Sequence, residues 1–319
     1  MVMGLAGCTL IGKGFVATAP AEVHPRLAAV ELPTDCGKTL ALSRDARSLA
    51  VSCASGEIEV WTLGSGASPS ILSGHAGAIS ALAFSADGRL LASASLDRSV
   101  QVWEVATGKN LVSLDTGGCC VTSVAFSPDG ALLAAGDEER NIRLWDVAAG
   151  SVRSTFSGHQ GCVDSLAFSS DGKLLASGGY DCGVRIWDAA TGQCLSICEG
   201  HQDSVTCLAF SPDGAVLAAG SADKGVYVWQ VASGTRAAIL RGHAGRIASV
   251  SFSPDGRVLA SSALDHTVRL WDVTSGRELG RSKGYLFAQF TREGRLVAAG
   301  VSGESLILSD LSASLPPAL

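Results

Sequence analysis

The chain has 319 residues, of which 47% are hydrophobic and 17% charged, with a formal net charge of −6. This composition fits a packed globular protein with a sizeable core and excludes a disordered polymer. The negative balance disfavours nonspecific binding to nucleic acid or anionic membrane, and no run approaches the roughly 20 apolar residues of a membrane-spanning helix.

Residues 4–14 read GLAGCTLIGKG and hold two overlapping motif fragments. Gly7 and Gly12-Lys13 resemble part of a phosphate-binding loop. Gly14, however, occupies the place of the Ser/Thr that would hold magnesium, and Pro20 and Pro25 interrupt the helix that should follow. Leu5-Ala6-Gly7-Cys8 resembles a lipoprotein cleavage box, yet MVMG offers neither a basic n-region nor an apolar stretch. Residues 1–25 are therefore expected to form a mobile extension, with lipidation at Cys8 as the alternative if translation starts upstream.

A period of 42 residues governs the rest: Trp61, Trp103, Trp145, Trp187, Trp229 and Trp271 fall on it, and a four-residue deletion brings Ser309 into the same column. That makes seven repeats. A Gly-His pair ends in His75, His159, His201 and His243, and nine residues later stand Phe84, Phe168, Phe210 and Phe252. Turn sequences of the SPDG type start at residues 85, 127, 169, 211 and 253. Asp bonds locally and Gly accepts positive φ, so these are hairpin turns. Short alternating segments such as RLLASAS and SVQVWEV lie between them and read as strands. Four strands per repeat predict an all-β fold with one propeller blade per unit.

The Gly-His, SPDG and Trp-Asp marks resemble the WD-repeat family over about residues 26–311. The resemblance implies a seven-bladed propeller of four antiparallel strands per blade, closed by an N-terminal strand, here Arg26–Leu32, with 312–319 as a tail. It also implies a buried tetrad in complete blades: His75, Ser93, Asp97 and Trp103; His159, Ser177, Asp181 and Trp187; His243, Ser261, Asp265 and Trp271. These histidines are then architectural. Blade 5 has Ala219 in the serine column, and blade 3 has Gly117, Ala135 and Glu139 beside Trp145.

Relatives of this kind commonly bind ligands on the narrow top face around the central channel. The matching columns give Lys38, Leu96, Glu138, Asp164, Tyr180, Arg246 and Leu264 as candidate partner-binding residues. Glu138 and Asp164 fall on adjacent blades, with Arg246 and Lys38 across the ring, so the face is expected to be bipolar and to set the register of a partner peptide.

The expected function is a non-catalytic scaffold binding other proteins, as a monomeric propeller in a multiprotein complex, without cofactor, metal or direct nucleic-acid contact. A peptide-modification reader or ubiquitin-ligase substrate receptor is the alternative. An aromatic cage is wanting, however, and Ala148, Ala190 and Thr274 replace the arginine of a Trp-Asp-x-Arg motif. A lipid-anchored protein and an enzyme rank below these, since His24 and His266 lack identifiable catalytic partners. Ten cysteines without a CxxC pair predict reduced thiols and a cytoplasmic protein, nuclear being possible in a eukaryote. Cys36, Cys120 and Cys162 share one column near the channel mouth and read as free thiols rather than a soft-metal site.

Overall fold

A computed structural model describes residues 8–9, 26–31, 36–302 and 305–314. They form seven antiparallel sheets, the blades of a propeller around a central channel. Blade 4 shows the plan. Its strands Val163–Phe168, Leu174–Gly179, Val184–Asp188 and Cys194–Cys198 follow one another outward from the channel in chain order.

Each sequence reports its radial position. The second strand, LLASGG, is buried from its second residue onward because neighbouring blades cover both faces, so it carries an unbroken run of small and apolar residues. The outer strand, CLSIC, alternates toward solvent. Blade-to-blade approach is close: a Cβ added at Gly178 would lie 2.6 Å from Val205 Cγ1 of the next blade.

The hairpins on the bottom face are built by their serines. Ser169 Oγ donates to Asp171 Oδ1 at 2.7 Å and accepts the Leu174 amide at 2.9 Å, while Gly172 takes φ of 72°. Ser85, Ser127, Ser211 and Ser253 repeat this arrangement. Blade 1 keeps the Ser43–Asp45 bond but places Ala46, at φ of 55°, where the other turns have glycine.

The seventh sheet joins the two ends of the ring. Its order is Arg26–Glu31, Ser305–Asp310, Leu296–Ser302, Phe287–Phe290, with Ala29 opposite Ile307. At the other end of the first blade, Cys8–Thr9 pairs antiparallel with Thr39 and Leu40 on the channel side of strand Cys36–Leu42. It also touches the inner strands of blades 2 and 6, which places this short strand in the channel. The other residues of the 1–25 extension, including the phosphate-loop glycines and Lys13, lie outside the described residues, as do 315–319. Ser312–Ser314 form a 3-10 turn.

The six phenylalanines of the repeat column, Phe84, Phe126, Phe168, Phe210, Phe252 and Phe290, end the inner strands and line a cavity of about 480 Å³ in the channel. No described helix is long and apolar enough to cross a membrane.

A left-handed conformation at a non-glycine residue costs roughly 1–2 kcal/mol. Ala46→Gly should therefore raise stability by about 1 kcal/mol, read as a higher urea midpoint at unchanged m value. A lower midpoint would show that Ala46 is not strained.

Candidate functional site: the top face and its supports

Three blades contain the same buried chain of side chains. In blade 4, Trp187 Nε1–H donates to Ser177 Oγ at 2.7 Å, Ser177 Oγ lies 2.6 Å from His159 Nε2, and His159 Nδ1 lies 2.9 Å from Asp181. The corresponding distances are 2.8, 2.7 and 2.9 Å through Trp103, Ser93, His75 and Asp97 in blade 2. In blade 6 they are 2.8, 2.8 and 3.1 Å through Trp271, Ser261, His243 and Asp265.

One proton arrangement satisfies every member. Each serine oxygen accepts an indole N–H, so its own hydrogen goes to Nε2, and a neutral imidazole donates Nδ1–H to the carboxylate. Burial lowers the pKa of His75 further than Asp97 raises it, which keeps that ring neutral. The carboxylates of Asp97, Asp181 and Asp265 also accept the amide following the histidine, at Ala76, Gln160 and Ala244. Burial pushes the Asp181 and Asp265 carboxyls up. The bonds from histidine and amide outweigh it and hold both well below the usual carboxylate range.

A Ser-His-Asp sequence of contacts invites comparison with a hydrolase triad. Here the serines are 0% exposed and already accept a tryptophan N–H. No substrate reaches them, and the contacts brace the blade.

The other blades replace the chain. In blade 5, Ala219 leaves Trp229 Nε1 and His201 Nε2 buried without a hydrogen-bond partner. Tyr227 Oη takes over Asp223 at 2.7 Å, and His201 Nδ1 donates to the Cys182 carbonyl at 3.2 Å. Burial lowers the His201 pKa to about 4. In blade 3 the buried carboxylate is Asp137, which the repeat columns do not single out; exposed Glu139 occupies the aspartate column. Arg143 Nη1 pairs with Asp137 at 2.5 Å. Blade 1 uses Glu59, which accepts Trp61 Nε1–H at 3.1 Å.

These chains bear on the candidate partner residues. The residue before each tetrad aspartate is apolar: Leu96, Tyr180 and Leu264. Blades 1, 3 and 5, with no complete tetrad, have Ala54, Glu138 and Ala222 there. Tyr180 is 43% exposed and Leu264 38%, while Leu96 is half-buried. Glu138 is exposed and Arg246 half-buried. The side chain of Lys38 lies outside the described residues.

Asp164 differs from all of these. It belongs to the inner strand of blade 4, is 0% exposed, and neither carboxylate oxygen has a hydrogen-bond partner. Burial pushes its pKa up to about 7, with Arg246 opposing and Glu138 adding to the rise. Arg246 thus acts on Asp164 across the channel mouth, so the two signs of charge meet there.

A feature missed in the repeat columns is the residue after the loop-aspartate column, which holds Glu139 in blade 3. Arg98, Arg140, Lys224 and His266 all have positive φ, as does Cys182 in blade 4. The tight loops thereby set three exposed cations around the same face.

The cysteines correct one expectation. Seven described cysteines are free, but Cys53 is disulfide-bonded. On the backbone it pairs with position 36 of the neighbouring strand. Among the described residues no group of three or more His, Cys, Asp or Glu is placed to hold a metal ion.

Seven blades of four strands, the first extended by Cys8–Thr9, braced by buried side-chain hydrogen bonds and open at a loop-lined face, define a β-propeller of the scaffold class. The family described as WD domain, G-beta repeat matches residues 66–104, 108–146, 150–188, 192–230 and 234–272, more than half of the sequence, and the chain belongs to that family. Each matched unit runs from the outer strand of one blade through three strands of the next. Propellers of this family generally act as non-catalytic platforms for protein–protein interaction. No curated protein matches the chain.

Restoring the missing serine tests the bracing role directly. Ala219→Ser should raise stability by about 1–2 kcal/mol, because one hydroxyl serves both orphaned nitrogens. Chemical denaturation measures this, and a loss of stability would show that Tyr227 has already repacked the site.

Proposed function

We propose that this propeller binds a peptide or loop of a partner protein on its top face, around the channel mouth. The observation that carries this reading is the coincidence of apolar exposure with bracing. Leu96, Tyr180 and Leu264 each precede an aspartate held by a histidine and a backbone amide. Such side chains lose little conformational freedom on binding, which is how a few fixed anchors come to dominate an interface. Glu138, Arg246 and the loop cations surround them and favour one orientation of a charged partner.

The outer strands offer a competing surface, since Leu111, Val152, Leu195 and Ile197 are also exposed. They are spread over the outer strands of blades 2, 3 and 4, and no tetrad member sits on an outer strand. Quantitative affinity capture separates the two surfaces. Tyr180→Ala combined with Leu264→Ala should weaken partner retention by roughly tenfold or more, while Leu195→Ala combined with Ile197→Ala leaves it unchanged. The reverse pattern would overturn the assignment to the top face.

A further inference from the structure

The inner strands of blades 2 to 5 each shift register just after their first residue, and one residue fills the bulge: Ser80, Thr122, Asp164 and Thr206. The three hydroxyls make the same bond. Ser80 Oγ donates to the Val121 carbonyl at 2.5 Å, Thr122 Oγ1 to the Val163 carbonyl at 2.6 Å, and Thr206 Oγ1 to the Ile247 carbonyl at 2.7 Å. Each acceptor begins the inner strand of the next blade, so the bond closes the seam between two blades. Thr122 and Thr206 also reach the carbonyls of Gly136 and Gly220 in their own blades, at 3.0 and 3.1 Å.

Blade 4 keeps this backbone and changes the side chain. Ser165 pairs with Gly178 as Ser123 does with Gly136 and Cys207 with Gly220, which leaves Asp164 in the same bulge. The acceptors that correspond by column are the carbonyls of Gly178 and of Val205, the first residue of the next inner strand. Asp164 is 0% exposed, and neither of its oxygens receives a hydrogen bond. An ionised carboxylate only accepts, whereas a protonated one has an O–H to give. The acid form alone suits a place built for a donor, and burying the ionised form without partners is costly.

We infer that Asp164 is protonated in the folded protein and donates its O–H to the Val205 carbonyl, so that a proton closes the seam between blades 4 and 5 and its loss loosens that seam. Hydroxyls close the seams of blades 2–3, 3–4 and 5–6. They keep their protons at neutral pH, which confines the response to one seam.

The charged surroundings are few. The flanking strands Val121–Phe126, Leu174–Gly179 and Val205–Phe210 hold one titratable side chain, Cys207, whose thiol burial pushes up to about 11. Cys162 and Tyr180 of the same blade feel the Asp164 charge, and burial raises both, so they stay neutral through this range. Burial pushes the Asp164 carboxyl itself up to about 7, with Arg246 opposing and Glu138 adding to the rise. The native state therefore keeps a proton that the unfolded chain, with a carboxyl near 3.8, releases. The stability it contributes is complete below about pH 4, falls as pH rises, and is gone above about pH 7.

The test compares the full chain with Asp164→Asn, whose amide donates at every pH, and with Asp164→Thr, which restores the hydroxyl of the column. Relative to both variants, the unfolding constant of the natural protein in urea should grow roughly tenfold per pH unit between about pH 4.5 and 6.5, then level off. Carboxyl-carbon NMR should place the Asp164 titration near pH 7. Hydrogen exchange, corrected for its intrinsic pH dependence, should show Val163–Phe168 and Val205–Phe210 losing protection as that titration proceeds, while Ile247–Phe252 keeps it. Neither variant should show this loss. An Asp164 titration below about pH 5, parallel pH profiles in all three proteins, or equal loss at every seam would overturn the inference. The NMR titration reads the natural protein alone and decides the matter even where a variant fails to fold.

Discussion

The hydrogen-bond chain from tryptophan through serine and histidine to aspartate is the constraint on which the top face depends. Its tryptophan and serine sit on the third and second strands of a blade, and its histidine and aspartate on two different loops. A blade that satisfies the chain therefore fixes two loops against its own strands. All members are neutral or hydrogen-bonded in compatible directions, which makes a buried carboxylate tolerable. Losing one member leaves others orphaned, as blade 5 shows at Trp229 and His201.

This support is distributed unevenly, and the unevenness is useful. Blades 2, 4 and 6 hold their loops with complete tetrads and present an apolar residue before the aspartate. Blade 3 exchanges the tetrad for the Asp137–Arg143 pair and exposes Glu138 and Glu139 instead. The top face then combines apolar side chains beside braced aspartates, loop cations and, beneath them, one buried carboxylate at Asp164. In the proposed function the rigid loops place a few side chains and charge chooses the orientation of the partner.

Much of this was legible in the sequence because the repeat makes each column count several times over. The 42-residue tryptophan spacing and the SPDG turns specify the blades through local chemistry, turn geometry and strand alternation. What escaped depends on contacts between blades or on departures from the column. Asp137 lies two residues before the aspartate column, so alignment pointed to Glu139. Burial of Asp164 depends on how seven inner strands converge, which no single repeat encodes. The phenylalanine column reads as core, yet it also lines the channel cavity. That Cys53 is disulfide-bonded is likewise information that a cysteine count lacks.

Bracing of the top loops is best measured by hydrogen–deuterium exchange in the full chain, comparing the natural protein with His159→Ala. The account predicts that residues 158–163 and 180–183 lose protection, while the Ser169–Gly172 hairpin at the opposite end of blade 4 keeps it. Unchanged exchange in those loops, or equal loss across the whole blade, would contradict the role assigned to the tetrads.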